Sequence, residues 1–255
     1  MSPYSEDWLH KTIILANKNA NTTLIGLHCW GGSPFDFHPM AQAFSNHPIR
    51  FVFPRIDDVG LAGVVTGESS VDTWLGPIRT LIRKELENSD QVYLCGLSMG
   101  ATIATMMAVE FGIKRVVLLA PFFGVIAVND FATKVAHNLS AVMPRIWKYK
   151  AGCVKSREGL KRYRCPDNHF HLKSFAGLQA LTKVAESSVE RIPKPYLWCH
   201  SPKDPIASFD RANTHFGKES QHLALLKTEH IVTFDYDAAR VFESMENFWS
   251  LKASS

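Results

Sequence analysis

The sequence predicts an α/β fold: a mostly parallel central sheet with helices on both faces, interrupted by a helical cap insertion. Two observations carry this. Short apolar runs alternate with longer segments of helical period, the order that parallel strands joined by right-handed crossovers require. The runs are apolar at successive positions, not every second one, as strands covered on both faces are. The length adds a third argument, since 255 residues that are 46% hydrophobic suit one large α/β unit with a sizeable core.

Taken in order, TTLIGLHCW (22–30), RFVFPRI (50–56), QVYLCGL (91–97), KRVVLLAP (114–121), PYLWCHS (195–201) and HLALLK (222–227) read as strands. Upstream, TIILANKNANTTLIGL suggests an N-terminal hairpin around Asn17–Asn21. Helices are expected over 72–89, 101–112, 209–217 and 237–252. The first places Trp74, Leu75, Ile78, Leu81, Ile82 and Leu86 on one stripe. The second, ATIATMMAVEFG, is apolar nearly all round and should be buried, with Gly112 closing it. The stretch 122–194 is far longer than the dozen or so residues a strand crossover needs. It reads as an insertion over one end of the sheet and not as an independent domain, because the sheet resumes after it. Residues 1–121 and 195–255 form the body.

Composition excludes several functions. A formal charge of +4, with no basic run interleaved with aromatics, argues against nucleic acid as a partner. Five cysteines without regular spacing form neither a disulfide framework nor a zinc pattern, and point to a reducing compartment. The N-terminus lacks the basic start and apolar stretch of a signal peptide. No run approaches the ~18 apolar residues of a membrane span. The expectation is a soluble, cytoplasmic protein without stable membrane insertion.

The chemistry centres on Gly96-Leu97-Ser98-Met99-Gly100, between a strand and an apolar helix. A serine in G-x-S-x-G at such a turn is held in a strained backbone that lifts its hydroxyl above the carboxyl edge of the sheet. The helix N-terminus below it offers free N–H groups to developing negative charge. The hydroxyl needs a base, and the base an acid to orient it. The order serine, acid, histidine selects Asp204, in the loop after PYLWCHS, and His230, in the loop after HLALLK. Asp210 falls inside a helix. His200 abuts the acid loop, where a strand-end histidine is more often packed than catalytic. Donors for an oxyanion come from the N–H of Met99 and, in the loop after the first strand, the N–H of Trp30. Gly31 and Gly32 give that loop freedom to turn, and His28 reads as its structural hydrogen-bonding residue. Phe35, Phe37, Phe122, Phe123, Met143 and Trp147 are candidate pocket walls. The insertion is basic, with Lys134, Arg145, Lys148 and Lys150 among its cations. A solvated outer face is the simplest reading, and attraction of anionic substrates or a lipid surface the sharper one.

HCWGG, GLSMG, SPKDPI and TEHIVTFD, in that order, resemble the α/β-hydrolase superfamily. More narrowly they are similar to small bacterial carboxylesterases and monoacylglycerol lipases with a compact cap. There an HGFTG-like stretch corresponds to His28–Gly32, a GHVIT-like stretch to His230–Thr233, and a D-x-hydrophobic loop to Asp204–Ile206. The likeness is weak across 122–190. Two positions depart from it: Cys29 stands where glycine usually follows the loop histidine, and Glu229 where glycine usually precedes the catalytic one. The resemblance implies a serine esterase that acts on a small-molecule ester and needs neither metal nor cofactor. A thioesterase, amidase or peptidase would use the same triad. A hydrolase-like binding protein without turnover is the alternative from another class. Acyl length and oligomeric state are not encoded in any motif.

Overall fold

The computed structural model describes residues 6–16, 20–56, 71–124, 145–147, 153–166, 169–216 and 220–251. The strands are β1 (Ile13–Ala16), β2 (Thr22–Leu27), β3 (Ile49–Phe53), β4 (Gln91–Leu97), β5 (Val116–Leu119), β6 (Arg145–Trp147), β7 (His169–His171), β8 (Leu197–His200) and β9 (Gln221–Ala224). The helices are α1 (Asp7–His10), α2 (His38–Ala43), α3 (Val71–Asn88), α4 (Met99–Phe111), α5 (Arg157–Arg162), α6 (Leu172–Val189), α7 (Phe209–Phe216) and α8 (Ala238–Trp249). Seven strands form one sheet in the order β1-β3-β2-β4-β5-β8-β9. Every neighbour pair is parallel except β1 with β3. All six strands expected from the apolar runs lie in this sheet.

Successive residues of the central strands enter opposite faces, as the pleat dictates. Ile25, Val52, Leu94 and Leu118 join a core with α3, α4, α6 and α7. Leu24, Phe51, Phe53, Tyr93, Cys95 and Val117 join a second core with α2 and α8. Burial on both faces explains why these strands are apolar at every position. Helix α4 is buried from Met99 to Ala108 and ends at Gly112, whose φ of 66° is the left-handed geometry expected of a C-terminal glycine.

Two expectations are corrected. The N-terminal strand does not form a hairpin with β2. Both edges of β2 are taken by parallel partners, β3 and β4, so β1 adds antiparallel to the outer edge of β3. On α3, Leu86 is exposed and Glu85 is buried in its place. Its carboxylate accepts from Arg50 Nε at 3.1 Å and from Thr23 Oγ1 at 3.3 Å. The insertion expected over 122–194 is described only in part. Its final part is α6, whose Leu178, Leu181, Ala185 and Val189 belong to the first core, so this helix is the β5–β8 crossover of the body. Residues 153–163 likewise enter the second core through Cys153, Val154 and Tyr163. The strands β6 and β7 pair antiparallel as a separate ribbon. Met143 lies outside the described residues, and Trp147 is placed only by its backbone, in β6. Among the described residues no helix is long and apolar enough to cross a membrane.

Replacing Glu85 with alanine removes the acceptor of a buried arginine contact. It is expected to lower unfolding free energy by roughly 1–3 kcal/mol. Leu86→Ala, at the exposed neighbour, should stay within about 0.5 kcal/mol. Chemical denaturation of the two variants checks the pair.

Candidate active site

The loops that follow β2, β4, β5, β8 and β9 all leave the carboxyl edge of the sheet, where open α/β sheets place ligands. Lateral hydrogen bonds continue past the strands into these loops: Ser98 N to Leu119 O at 2.9 Å, Ala120 N to Cys199 O at 2.7 Å and Leu225 N to His200 O at 3.0 Å. The roots of the loops are therefore held as firmly as the strands.

Ser98 has φ 56° and ψ −116°, a backbone state that side chains other than glycine rarely adopt. The flanking glycines are required by close approach. A Cβ on Gly96 would overlap the carbonyl of Gly100, and one on Gly100 would overlap the carbonyl of Leu27. The first turn of α4 thus rests on the end of β2. The carbonyl of Ser98 accepts from the N–H groups of Ala101 at 2.9 Å and Thr102 at 3.2 Å. The N–H groups of Met99 and Gly100 precede them, at the helix end where backbone donors have no intrahelical acceptor.

The geometry brings Ser98, His230 and Asp204 into one buried chain. His230 Nδ1 lies 2.8 Å from Asp204 Oδ2, and His230 Nε2 lies 2.9 Å from Ser98 Oγ. A carboxylate can only accept, so the imidazole proton sits on Nδ1. Nε2 then accepts from the serine hydroxyl. Oδ1 of Asp204 accepts from the N–H groups of Ile206 at 2.8 Å and Ala207 at 3.0 Å. Burial alone would push this carboxyl up. The opposing charge of His230 and hydrogen bonds from His200 and His230 outweigh it and hold Asp204 well below the usual carboxylate range.

Two further buried carboxylates, neither singled out by motif reading, hold the loops around this chain. Asp36 Oδ2 accepts from Cys29 N at 3.0 Å, and Oδ1 accepts from Tyr163 Oη at 3.1 Å. Its carbonyl accepts from Thr233 Oγ1 at 2.7 Å. One residue therefore ties the loop after β2 to the His230 loop and to the end of α5. Burial, reinforced by the Asp36 charge, raises the Tyr163 hydroxyl well above its ordinary range, so it remains a donor. Asp235 accepts from the N–H groups of Glu229 at 2.9 Å, Lys155 at 2.8 Å and Ser156 at 2.8 Å. With Ile231 N donating to Cys153 O at 2.8 Å, it pins the His230 loop to residues 153–156. The only sequence signal for either was an acid lying close to a motif.

In the loop after β2, Cys29 is buried and Gly32 N donates to Cys29 O at 3.0 Å, closing a turn in which Gly31 has φ 68°. His28 is fully buried and structural in its contacts. Its Nε2 accepts from Ile56 N at 2.9 Å, and Nδ1 lies 2.9 Å from Cys29 O. Of the pocket candidates, Phe122 sits beside Ser98, its N–H 3.4 Å from the Ser98 carbonyl. Phe123 packs on His215 and Phe216. Phe37 is stacked on Phe53 and Phe35 on Phe234, both in the second core. Among the described residues no three His, Cys, Asp or Glu side chains converge as a metal-ligand set.

Gly100→Ala forces backbone against backbone, and should destabilise the protein by roughly 3 kcal/mol or more in a denaturant melt. The depressed carboxyl of Asp204 sets a sign for acid stability. The folded state favours the ionised form, so this contribution is present above about pH 4 and is lost as pH falls further. Asp204→Asn lacks it, and the variant's stability should fall less steeply than the wild type's in acid.

The model of the alpha/beta hydrolase family matches residues 24–243. Among solved structures, one from a study of two metagenome-derived lipolytic enzymes, LipS and LipT, superposes with a TM-score of 0.81 at 19% identity, covering 95% of this chain and 99% of its own. The monoacylglycerol lipase of Paleococcus ferrophilus gives 0.76 at 16% identity, covering 94% and 98%. A soluble variant of the Saccharomyces cerevisiae monoglyceride lipase gives 0.75 at 13% identity, covering 93% and 90%. No curated protein matches the chain in sequence. The family match reaches from β2 into α8, across a sheet whose strand-to-helix turn carries Ser98, and the chain therefore belongs to the alpha/beta hydrolase family.

Proposed function

We propose that this protein is a serine hydrolase that cleaves carboxylic esters with an apolar acyl or alcohol part. The observation that carries the reading is the unbroken hydrogen-bonded chain from Ser98 Oγ through His230 to Asp204. Ser98 Oγ attacks the ester carbonyl carbon while its proton passes to His230 Nε2. The N–H groups of Met99 and Trp30 hold the resulting oxyanion. The C–O bond to the alcohol breaks, and the leaving oxygen takes the proton from His230. A water then gives its proton to His230 and attacks the acyl-serine. The acid departs as Ser98 regains its hydrogen. Asp204 stays ionised throughout, orienting the ring and stabilising its cationic form.

Ester chemistry is favoured over other acyl transfers by the structural neighbours, a lipolytic enzyme and two monoglyceride lipases of the same fold. Among the described residues, Phe122 at the elbow and Trp30 in the loop after β2 are the wall candidates. Phe35, Phe37 and Phe123 support the walls from the core. All five cysteines are free, four of them buried, in keeping with a reducing cytoplasmic setting.

Ser98→Ala should reduce kcat/KM on p-nitrophenyl esters by on the order of a thousandfold or more. It should also abolish labelling by a fluorophosphonate probe. Equal rates for variant and wild type would overturn the reading. A panel of esters, thioesters and anilides of graded acyl length identifies the preferred bond, and ester turnover is expected to exceed the other two.

A further inference from the structure

The acid of the Ser98–His230–Asp204 chain has a second histidine on it. His200, at the end of β8, is fully buried, and its Nε2 lies 3.2 Å from Asp204 Oδ2, the same oxygen that holds His230. Its Nδ1 is buried without a hydrogen-bond partner. That asymmetry assigns the proton. With hydrogen on Nδ1, a buried donor would be orphaned and the Nε2 lone pair would face a carboxylate oxygen, two unfavourable arrangements at once. With hydrogen on Nε2, the ring donates to Asp204, and only a weak acceptor is left unused. Asp204 then accepts four hydrogen bonds: Ile206 and Ala207 on Oδ1, His200 and His230 on Oδ2.

We propose that His200 is a positioning residue for the serine relay: it fixes the Asp204 carboxylate and, by drawing off part of the charge on Oδ2, moderates how strongly that carboxylate favours a protonated His230. The proposal rests on His230 being the base of Ser98. His200 is itself held on two sides, by the edge of its ring against Phe209 of α7 at 5.6 Å and against Trp198 at 6.4 Å. The other titratable groups facing the cluster are few. His222 of β9 stacks on Trp198, and partial desolvation with the influence of His200 lowers its pKa from the ordinary histidine value. Glu229, beside His230, has its carboxyl raised by burial and by Asp235 and Asp204, against Lys155. Neither bonds to Asp204; removing His200 relieves its electrostatic effect on His222 and leaves the groups acting on Glu229 in place.

The sign follows from the charge. Without the His200 donor, Oδ2 carries more negative charge toward the ring at 230 and stabilises its cation. Proton uptake by that ring then occurs at higher pH, and the acidic limb of kcat/KM moves up. His200→Phe removes the donor while filling the space, whereas His200→Gln keeps an N–H near the position of Nε2. If the phenylalanine variant does not fold, His200→Asn, whose shorter amide falls short of Oδ2, replaces it. NMR titration of the His230 ring, with pH–rate profiles on a p-nitrophenyl ester, reads the effect. Expected are an upward-shifted midpoint and acidic limb in the donor-less variant. At neutral pH kcat should fall on the order of tenfold with KM little changed, and the glutamine variant should lie close to wild type. An unmoved His230 titration in the donor-less variant, or a glutamine variant no better than it, overturns the proposal. The titration needs no turnover, so a shifted midpoint together with full activity in Ser98→Ala would sink the esterase reading and leave the histidine pairing intact.

Discussion

The contact on which the site depends is backbone on backbone: the first turn of α4 lying on the last residue of β2. Gly100 has no room for a methyl group above the Leu27 carbonyl, and Gly96 none beside Gly100. This closeness turns the chain sharply enough to leave Ser98 at positive φ, with its side chain outside the sheet and the open end of α4 beneath. Strain of this kind, costing about 1–3 kcal/mol, persists only where surrounding structure over-determines it. Here the surroundings are a helix buried from Met99 to Ala108 and the central strands of a seven-stranded sheet. The neighbouring Ala120 also has a positive φ, 43°, so two adjacent strand ends carry strain at the same edge.

The loops have little core of their own, and buried carboxylates hold them. Asp36, Asp204 and Asp235 share one construction: a buried acid whose oxygens are occupied by several donors, with loop backbone N–H groups among them in every case. A carboxylate suits the task because it accepts up to four hydrogen bonds and binds N–H donors more strongly than a neutral acceptor does. Each acid secures a different part. Asp36 holds the loop after β2, Asp204 the acid loop and the imidazole, and Asp235 the backbone around His230. Thr233 joins the first and third of these networks through the Asp36 carbonyl. A shift of one loop is therefore felt by the others.

The basic insertion divides the same way. The stretch between β5 and β8 is long in sequence, but its described ends are built into the body. Residues 153–163 brace the His230 loop on one face of the sheet, and α6 packs on α4 on the other.

By itself the sequence determined the features that depend on neighbours along the chain. Buried parallel strands must be apolar on both faces, so every strand from β2 to β9 in the main sheet was legible as an apolar run. A serine between two glycines at a strand-to-helix junction marked Ser98. The position of Asp204 and His230 just after later strands marked them too, because a parallel sheet brings all carboxyl ends to one edge. Only the tertiary structure decided what depends on distant residues. That β1 crosses to β3, that Glu85 and not Leu86 faces inward to meet Arg50, and that α6 belongs to the body all follow from which surfaces were already occupied. His200 shows the division most sharply. The local pattern read it as a packed strand-end residue, and it is packed. Its proton nevertheless bonds the same oxygen as His230, a partner brought to it by a separate strand, and no spacing along the chain encodes that meeting.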